Sequence, residues 1–297
     1  FNSDFYSNKA YYGGAIYNSS SNTVTDCTFS NNVSSSGGAI RNNSSNTVTD
    51  CTFSNNASSN GGGIYNNSSN TVTDCTFSGN NASTNGGGIY NNSSNTVTDC
   101  TFTGNNASTY GGGIYNSSSN NTVTDCTFSN NASTNGGAIY QYDSTNTTKN
   151  STFNTNTSSN IYVRDNSTSY TGTFTNCYWG TDTPTTTDYG SLGGYTVSNN
   201  ATSKTVYNII KYTKASVTTG TNIPLTFKCL DCNGNPLSNM TLTLKDGTNT
   251  LATLTSDTNG LATYTVTVTA SMSLTITNTA TTSYNSCTSE TRTITLT

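Results

Sequence analysis

Histidine is missing altogether from this 297-residue chain, and only 8% of its residues carry charge. Without histidine the commonest general base and the commonest imidazole metal ligand are both unavailable. Bases are scarce. Residues 1–200 hold Lys9, Arg41, Lys149 and Arg164 against ten aspartates, while residues 201–297 hold six bases against four acids, for a net charge of −4. So few cations in the larger part exclude a nucleic-acid groove, which would need a basic stripe to neutralise phosphates. No apolar run reaches the roughly 20 residues of a membrane span, and no signal peptide opens the chain. Phe1 falls in mid-repeat, so the chain is expected to be a trimmed product, with any export signal or anchor outside it.

Asn, Ser, Thr and Gly fill most of the chain, a composition that ordinarily accompanies disorder. Here, however, apolar residues return at a fixed period. "TVTDCTF" occurs unchanged at 23–29, 47–53, 71–77, 96–102 and 122–128. Ile recurs at 16, 40, 64, 89, 114 and 139, and Phe at 5, 29, 53, 77, 102, 128 and 153, in steps of 24 to 26 residues. One unit, "GGGIYNNSSNTVTDCTFSGNNAST" (61–84), contains no proline and no 3.6-residue apolar stripe, so a helical solenoid is excluded. Short strands separated by Asn/Ser/Gly turns remain. Ile64, Val72, Cys75 and Phe77 are expected to point inward and Tyr65, Thr71 and Thr73 outward. Val72 and Cys75 differ in parity, so a corner must fall near Thr73–Asp74.

One coil per repeat gives a right-handed parallel β-helix rising about 4.8 Å per coil. Asn and Gly suit its corners because both tolerate positive φ, and stacked Asn side chains can bond from coil to coil. The helix is expected over residues 1–202, with Trp179 in a terminal coil. Alternating strands over 203–297 predict an immunoglobulin-like β-sandwich. The fold class is therefore all-β.

Four columns carry candidate chemistry. Asp26, Asp50, Asp74, Asp99 and Asp125 would repeat each coil, where like carboxylates repel unless screened, protonated or bridged. Structural Ca²⁺ along the row is one reading, and a turn-capping Asp is the other. Cys27, Cys51, Cys75, Cys100 and Cys126 have only Asp as a regular neighbour, which would raise rather than lower a thiol pKa. They read as small core residues, a place that Ser3 and Ser151 take in the outer repeats. Tyr17, Arg41, Tyr65, Tyr90, Tyr115 and Tyr140 form an outward ladder, either a binding surface for sugars or proteins or plain cross-strand stacking. Arg41 is expected over Tyr17 or Tyr65. Outward Thr ranks resemble those of ice-binding solenoids. Away from the repeats, Cys229, Cys232 and Cys287 can supply one disulfide, and nine cysteines leave at least one thiol. N-x-S/T triplets begin at Asn18, Asn32, Asn43, Asn56, Asn67, Asn81, Asn92, Asn106 and Asn131, which suits a secreted, glycosylated surface protein.

The recurring GGAI or GGGI followed by F-x-x-N (Phe77/Asn80, Phe102/Asn105 and their counterparts) resembles the repeats of chlamydial polymorphic outer-membrane proteins. The chain is also similar to the adhesin-like surface proteins of methanogenic archaea, whose helix-closing block resembles "CYWGTDTP" (177–184) and whose Ig-like modules resemble residues 230–266. This resemblance implies a cell-surface role in adhesion or wall architecture. The partners it implies are other copies of the chain, or surface proteins and glycans, and it brings no catalytic residues. A filament or lattice subunit is the alternative, joined through coil ends or strands such as "TRTITLT". A calcium-dependent polysaccharide lyase would need a base beside the acidic cluster, and the repeats offer only Arg41, outside that row.

Overall fold

The computed structural model describes residues 2–117, 120–142, 145–164, 172–181, 184–185, 189–191, 195–198, 206–212, 216–233, 235–289 and 291–296. The chain divides into two compact units, Phe1–Asn200 and Ala201–Thr297. The boundary expected at 202/203 lies outside the described residues.

The first unit is a right-handed parallel β-helix of about seven turns. Its "CTF" strands, such as Thr76–Ser78 and Thr101–Thr103, stack into a seven-stranded sheet. The "TVT" strands, such as Thr71–Thr73, and the "IYN" strands, such as Ile89–Asn91, each stack into eight-stranded sheets. Register is set by like on like: Val72 faces Val97, Phe77 faces Phe102 and Ile89 faces Ile114. The predicted corner at Thr73–Asp74 is real, and its cause is backbone conformation. Asp26, Asp50, Asp74, Asp99 and Asp125 all sit at φ between 53° and 56°. That left-handed turn lets the chain reverse parity, so that Val and Cys both face inward.

The core is as regular as the sequence. Val72, Cys75, Phe77 and Ile64 are buried, and so are their counterparts in the neighbouring coils. Phe5, Phe29, Phe53, Phe77, Phe102, Phe128 and Phe153 form one stack with centroids 4.7–5.1 Å apart and rings within 8° of parallel. Each such ring contributes about 1.5–3 kcal/mol by burial. Trp179 continues the stack 4.8 Å beyond Phe153 and meets Phe174 and Tyr189 edge-on. The last coil is thus filled by larger rings.

The second unit holds a three-stranded antiparallel sheet of Val206–Tyr212, Thr221–Asp231 and Leu261–Val268. A five-stranded sheet runs Ser216–Val217, Arg292–Leu296, Met272–Asn278, Thr241–Asp246 and Asn249–Thr255. Leu225 and Phe227 from one sheet and Leu242, Leu244, Leu274, Ile276 and Ile294 from the other share one core. In the "TRTITLT" segment, Arg292, Thr293 and Ile294 pair with Leu274, Ser273 and Met272, and Thr295 and Leu296 pair with Ser216 and Val217.

Candidate functional site

The aspartate column is built by the corner. Each Asp uses its backbone N–H to reach the next coil: Asp50 donates to Thr73 O at 3.1 Å and Asp99 to Thr124 O at 3.1 Å. The column continues as Asn150 and Asn176, with φ of 47° and 54° and the same backbone bonds to Thr175 O and Ser198 O. Asn150 Nδ2 donates to Asp125 Oδ1 at 3.1 Å, and Asn176 Nδ2 to Asn150 Oδ1 at 2.8 Å. Asp and Asn share the place because both accept the left-handed turn. Among the described residues no three His, Cys, Asp or Glu side chains gather into a metal-binding group. Asp74→Asn is expected to leave Tm within about 2 °C of the parent, because the mutant repeats what Asn150 already does. A drop in Tm on chelation of the parent, absent in the mutant, would instead show bridging cations.

The cysteine column lines the interior. Cys75 Sγ donates to Thr73 O at 3.1 Å, and Cys51 and Cys100 do the same to Thr49 and Thr98. Ser151 holds the equivalent place and donates Oγ to Lys149 O at 2.8 Å. Burial pushes the thiols of Cys75 and Cys126 well up, and that of Cys177 to about 12. Hydrogen bonds from the neighbouring thiols lower Cys51, and lower Cys100 against its burial, but every thiol of the column is closed off from solvent and so from electrophiles and metal ions. All nine cysteines are thiols. The disulfide expected among Cys229, Cys232 and Cys287 is not formed: Cys229 and Cys232 are buried, and only Cys287 is half-exposed. Alkylation of the native protein at pH 8 should therefore modify Cys287 first. Rapid labelling of the Cys51–Cys126 column would contradict this packing.

The tyrosine ladder is stacked but less outward than its alternation predicts. Tyr65, Tyr90, Tyr115, Tyr140 and Tyr162 follow one another at 4.7–5.3 Å. Tyr17 is 47% exposed, yet Tyr115 and Tyr140 are only 6% and 1% exposed. Tyr110 is the cause. It projects from the preceding corner and lies 4.3 Å from Tyr140 and 6.3 Å from Tyr115. Arg41 sits 5.0 Å from Tyr65 as expected, but its other ring is Tyr12, at 4.0 Å, rather than Tyr17. The Tyr17 hydroxyl instead accepts from Asn43 Nδ2 at 2.6 Å. Neither Tyr12 nor Tyr110 was marked by periodicity, because the same corner place holds Ser36, Asn60 and Asn85 in other coils. In a ladder this tight, ring faces are spent on neighbouring rings, leaving chiefly edges for a ligand.

Burial raises the phenols of Tyr65, Tyr90 and Tyr115, and lifts Tyr140 to about 12. The unfolded chain ionises near pH 10 while the folded rings stay protonated. Stability should therefore fall as pH rises from about 10. Thermal melts between pH 9 and 12 test the sign; a Tm that rises over this range would contradict it.

Three internal asparagine ladders tie coil to coil. In the F-x-x-N column, Asn80 Nδ2 donates to Asn105 Oδ1 at 2.9 Å and to Phe53 O at 3.0 Å, while its Oδ1 accepts from both Asn56 N and Asn56 Nδ2. A second ladder joins Asn18, Asn42, Asn66, Asn91 and Asn116 through Nδ2-to-Oδ1 bonds and ends with Asn116 Nδ2 donating to Gln141 Oε1, all at 2.8–3.0 Å. A third runs through Asn22, Asn46, Asn70, Asn95, Asn121 and Asn146, each backbone N–H donating to the next Oδ1. These ladders correct part of the glycosylation reading. Asn18, Asn32, Asn56 and Asn131 are buried, with their amides committed inside. Of the remaining candidates, Asn67, Asn81, Asn92 and Asn106 are exposed and Asn43 is half-exposed. The outer Thr rank (Thr23, Thr47, Thr71, Thr96 and Thr122) is exposed and in register.

Residues 1–119 match the family described as a right handed beta helix region. Residues 125–141 match the Chlamydia polymorphic membrane protein repeat. No curated protein and no solved structure matches the chain significantly.

Proposed function

We propose that this chain is a non-catalytic, extracellular adhesin-like surface protein, in which the β-helix acts as a stiff stalk and the second unit is an Ig-like module. The observation that carries the reading is the fate of the reactive residue types. Asp and Cys recur at one place per coil and buried Asn at three, and turn geometry, core packing and coil-to-coil bonding use them. A single active site needs unlike groups converging on one point, whereas here like groups are strung along an axis. The match to a polymorphic membrane protein repeat supports placement at a cell surface.

The test is a competition assay. Purified chain, added in excess, should block attachment of the native cells to their partner surface, and antibody against it should decorate the cell exterior in electron micrographs. Decoration of a repeating lattice without any competition would favour the structural subunit. Release of sugars from a polysaccharide panel, with or without Ca²⁺, would overturn the non-catalytic reading.

A further inference from the structure

The nine N-x-S/T triplets named above, part of a larger set in the chain, differ in the state of the amide nitrogen, the atom to which a glycan would be attached. Four of these amides are buried in the ladders, and in three of those four the hydroxyl residue, Ser34, Ser58 or Ser133, is buried as well. Three more are tied at the surface. Asn43 donates Nδ2 to the Tyr17 hydroxyl, Asn92 to Asn67 Oδ1 at 3.0 Å, and Asn106 to Asn81 Oδ1 at 2.8 Å. Asn67 and Asn81 stand at the receiving end of the last two bonds. Both are exposed, both are followed by an exposed serine (Ser69 and Ser83), and neither Nδ2 donates a hydrogen bond among the described residues.

We propose that Asn67 and Asn81 are N-glycosylation sites, modified by an oligosaccharide carried on a polyprenyl pyrophosphate. Nδ2 attacks the anomeric carbon, and an N–C bond forms as the C–O bond to the carrier breaks. The electron pair of that bond leaves with the pyrophosphate, and one Nδ2 proton passes to a base of the transferase. Nothing is oxidised or reduced. The product keeps Oδ1 as an acceptor, so the bonds from Asn92 and Asn106 survive modification. Attack by Asn92 or Asn106 would proceed with one of the two Nδ2 hydrogens held in those bonds, which restrains the amide from turning toward the carrier. Asn67 follows the strand Ile64–Asn66 and Asn81 opens the strand Asn81–Asn85, on a different sheet. The two glycans therefore do not compete for the roughly 4.8 Å between neighbouring coils.

The inference rests on the extracellular reading only for the meeting of chain and transferase, and the experiment removes that dependence. Full-length chain from a host without N-glycosylation is incubated, folded, with a purified oligosaccharyltransferase of N-x-S/T specificity and a polyprenyl-pyrophosphate oligosaccharide. Synthetic peptides covering all nine triplets form the second arm. Peptide mass spectrometry should find every peptide accepted, but the folded chain occupied at Asn67 and Asn81 about fivefold or more above the other seven, the factor expected for one surface hydrogen bond. The double variant Asn67→Gln, Asn81→Gln should lose the mass shift while keeping its Tm. Occupancy at Asn32, Asn56 or Asn131 in the folded chain overturns the proposal. So does equal labelling of Asn92 and Asn106, or absence of labelling at Asn67 and Asn81.

Discussion

Gly87→Ala is expected to destroy the central coils, whereas Gly104→Ala leaves a folded protein. A β-carbon on Gly87 would sit 2.3 Å from Gly112 O and 2.6 Å from Asn106 O. Both obstacles are backbone, one in the coil above and one across the corner, so no rotamer change relieves them. Moving either would pull apart the bonds from Gly87 N to Gly111 O and from Asn106 N to Asn80 O. Overpacking of this kind exceeds the usual cost of about 1–3 kcal/mol, because the neighbours cannot yield. A loss above about 4 kcal/mol is expected. Gly104 has φ of 64° but nothing within 4 Å of the added atom, so Ala there costs only about 1–2 kcal/mol of left-handed strain. Asn at 104 should come closer still to the parent, since Asn55 and Asn130 hold the equivalent corner at φ of 53° and 54°. Circular dichroism melts of the three variants decide the matter, and a stable, cooperative Gly87→Ala would refute the packing.

Asn80→Ala is the second large effect. The side chain makes four hydrogen bonds at zero exposure, and its loss takes the acceptor from Asn56 N–H and Asn56 Nδ2 and the amide donor from Phe53 O inside the helix, while Asn105 Oδ1 keeps the backbone N–H of residue 80. At about 1–3 kcal/mol for each orphaned group, partly relieved by relaxation, the cost should be about 3–5 kcal/mol. In Tm this is about 10 °C for a chain of this size. Asn92→Ala, which removes a single exposed bond to Asn67, should change stability by less than about 0.5 kcal/mol. Asn80→Asp adds a diagnostic sign. The aspartate would be buried against oxygen acceptors, so its folded pKa would be raised above the unfolded value. The variant should therefore recover stability below the unfolded pKa and lose it as pH rises. Equal Tm values for Asn80→Ala and Asn92→Ala would contradict the ladder's role.

The coil plan was legible because each inward residue type repeats without variation. Ile64, Val72, Cys75 and Phe77 gave three strands and a corner, and the structure supplies the left-handed Asp that makes the corner possible. What alternation could not convey is the depth of outward positions. Tyr115 and Tyr65 occupy the same register, yet one is buried by Tyr110 and the other is not. That difference depends on a single irregular residue in a neighbouring corner. N-x-S/T triplets misled for a related reason. The motif reads three residues along the chain, whereas burial of Asn32 or Asn56 depends on residues 24 positions away. In the second unit, alternating strands were readable, but the neighbours of Arg292–Leu296 were not, since pairing there joins distant segments.

Because the inward rows of the central coils meet their own kind above and below, those coils are interchangeable parts. Excising one unit of 24 to 26 residues would bring Val48 beneath Val97 and Phe53 beneath Phe102, with every internal ladder intact. Each unit gained or lost would change the reach of the rod by about 4.8 Å while its core stayed the same. A protein built this way can be lengthened by copying its own sequence, with no new core to invent, so unequal recombination between repeats would act on it as a ruler.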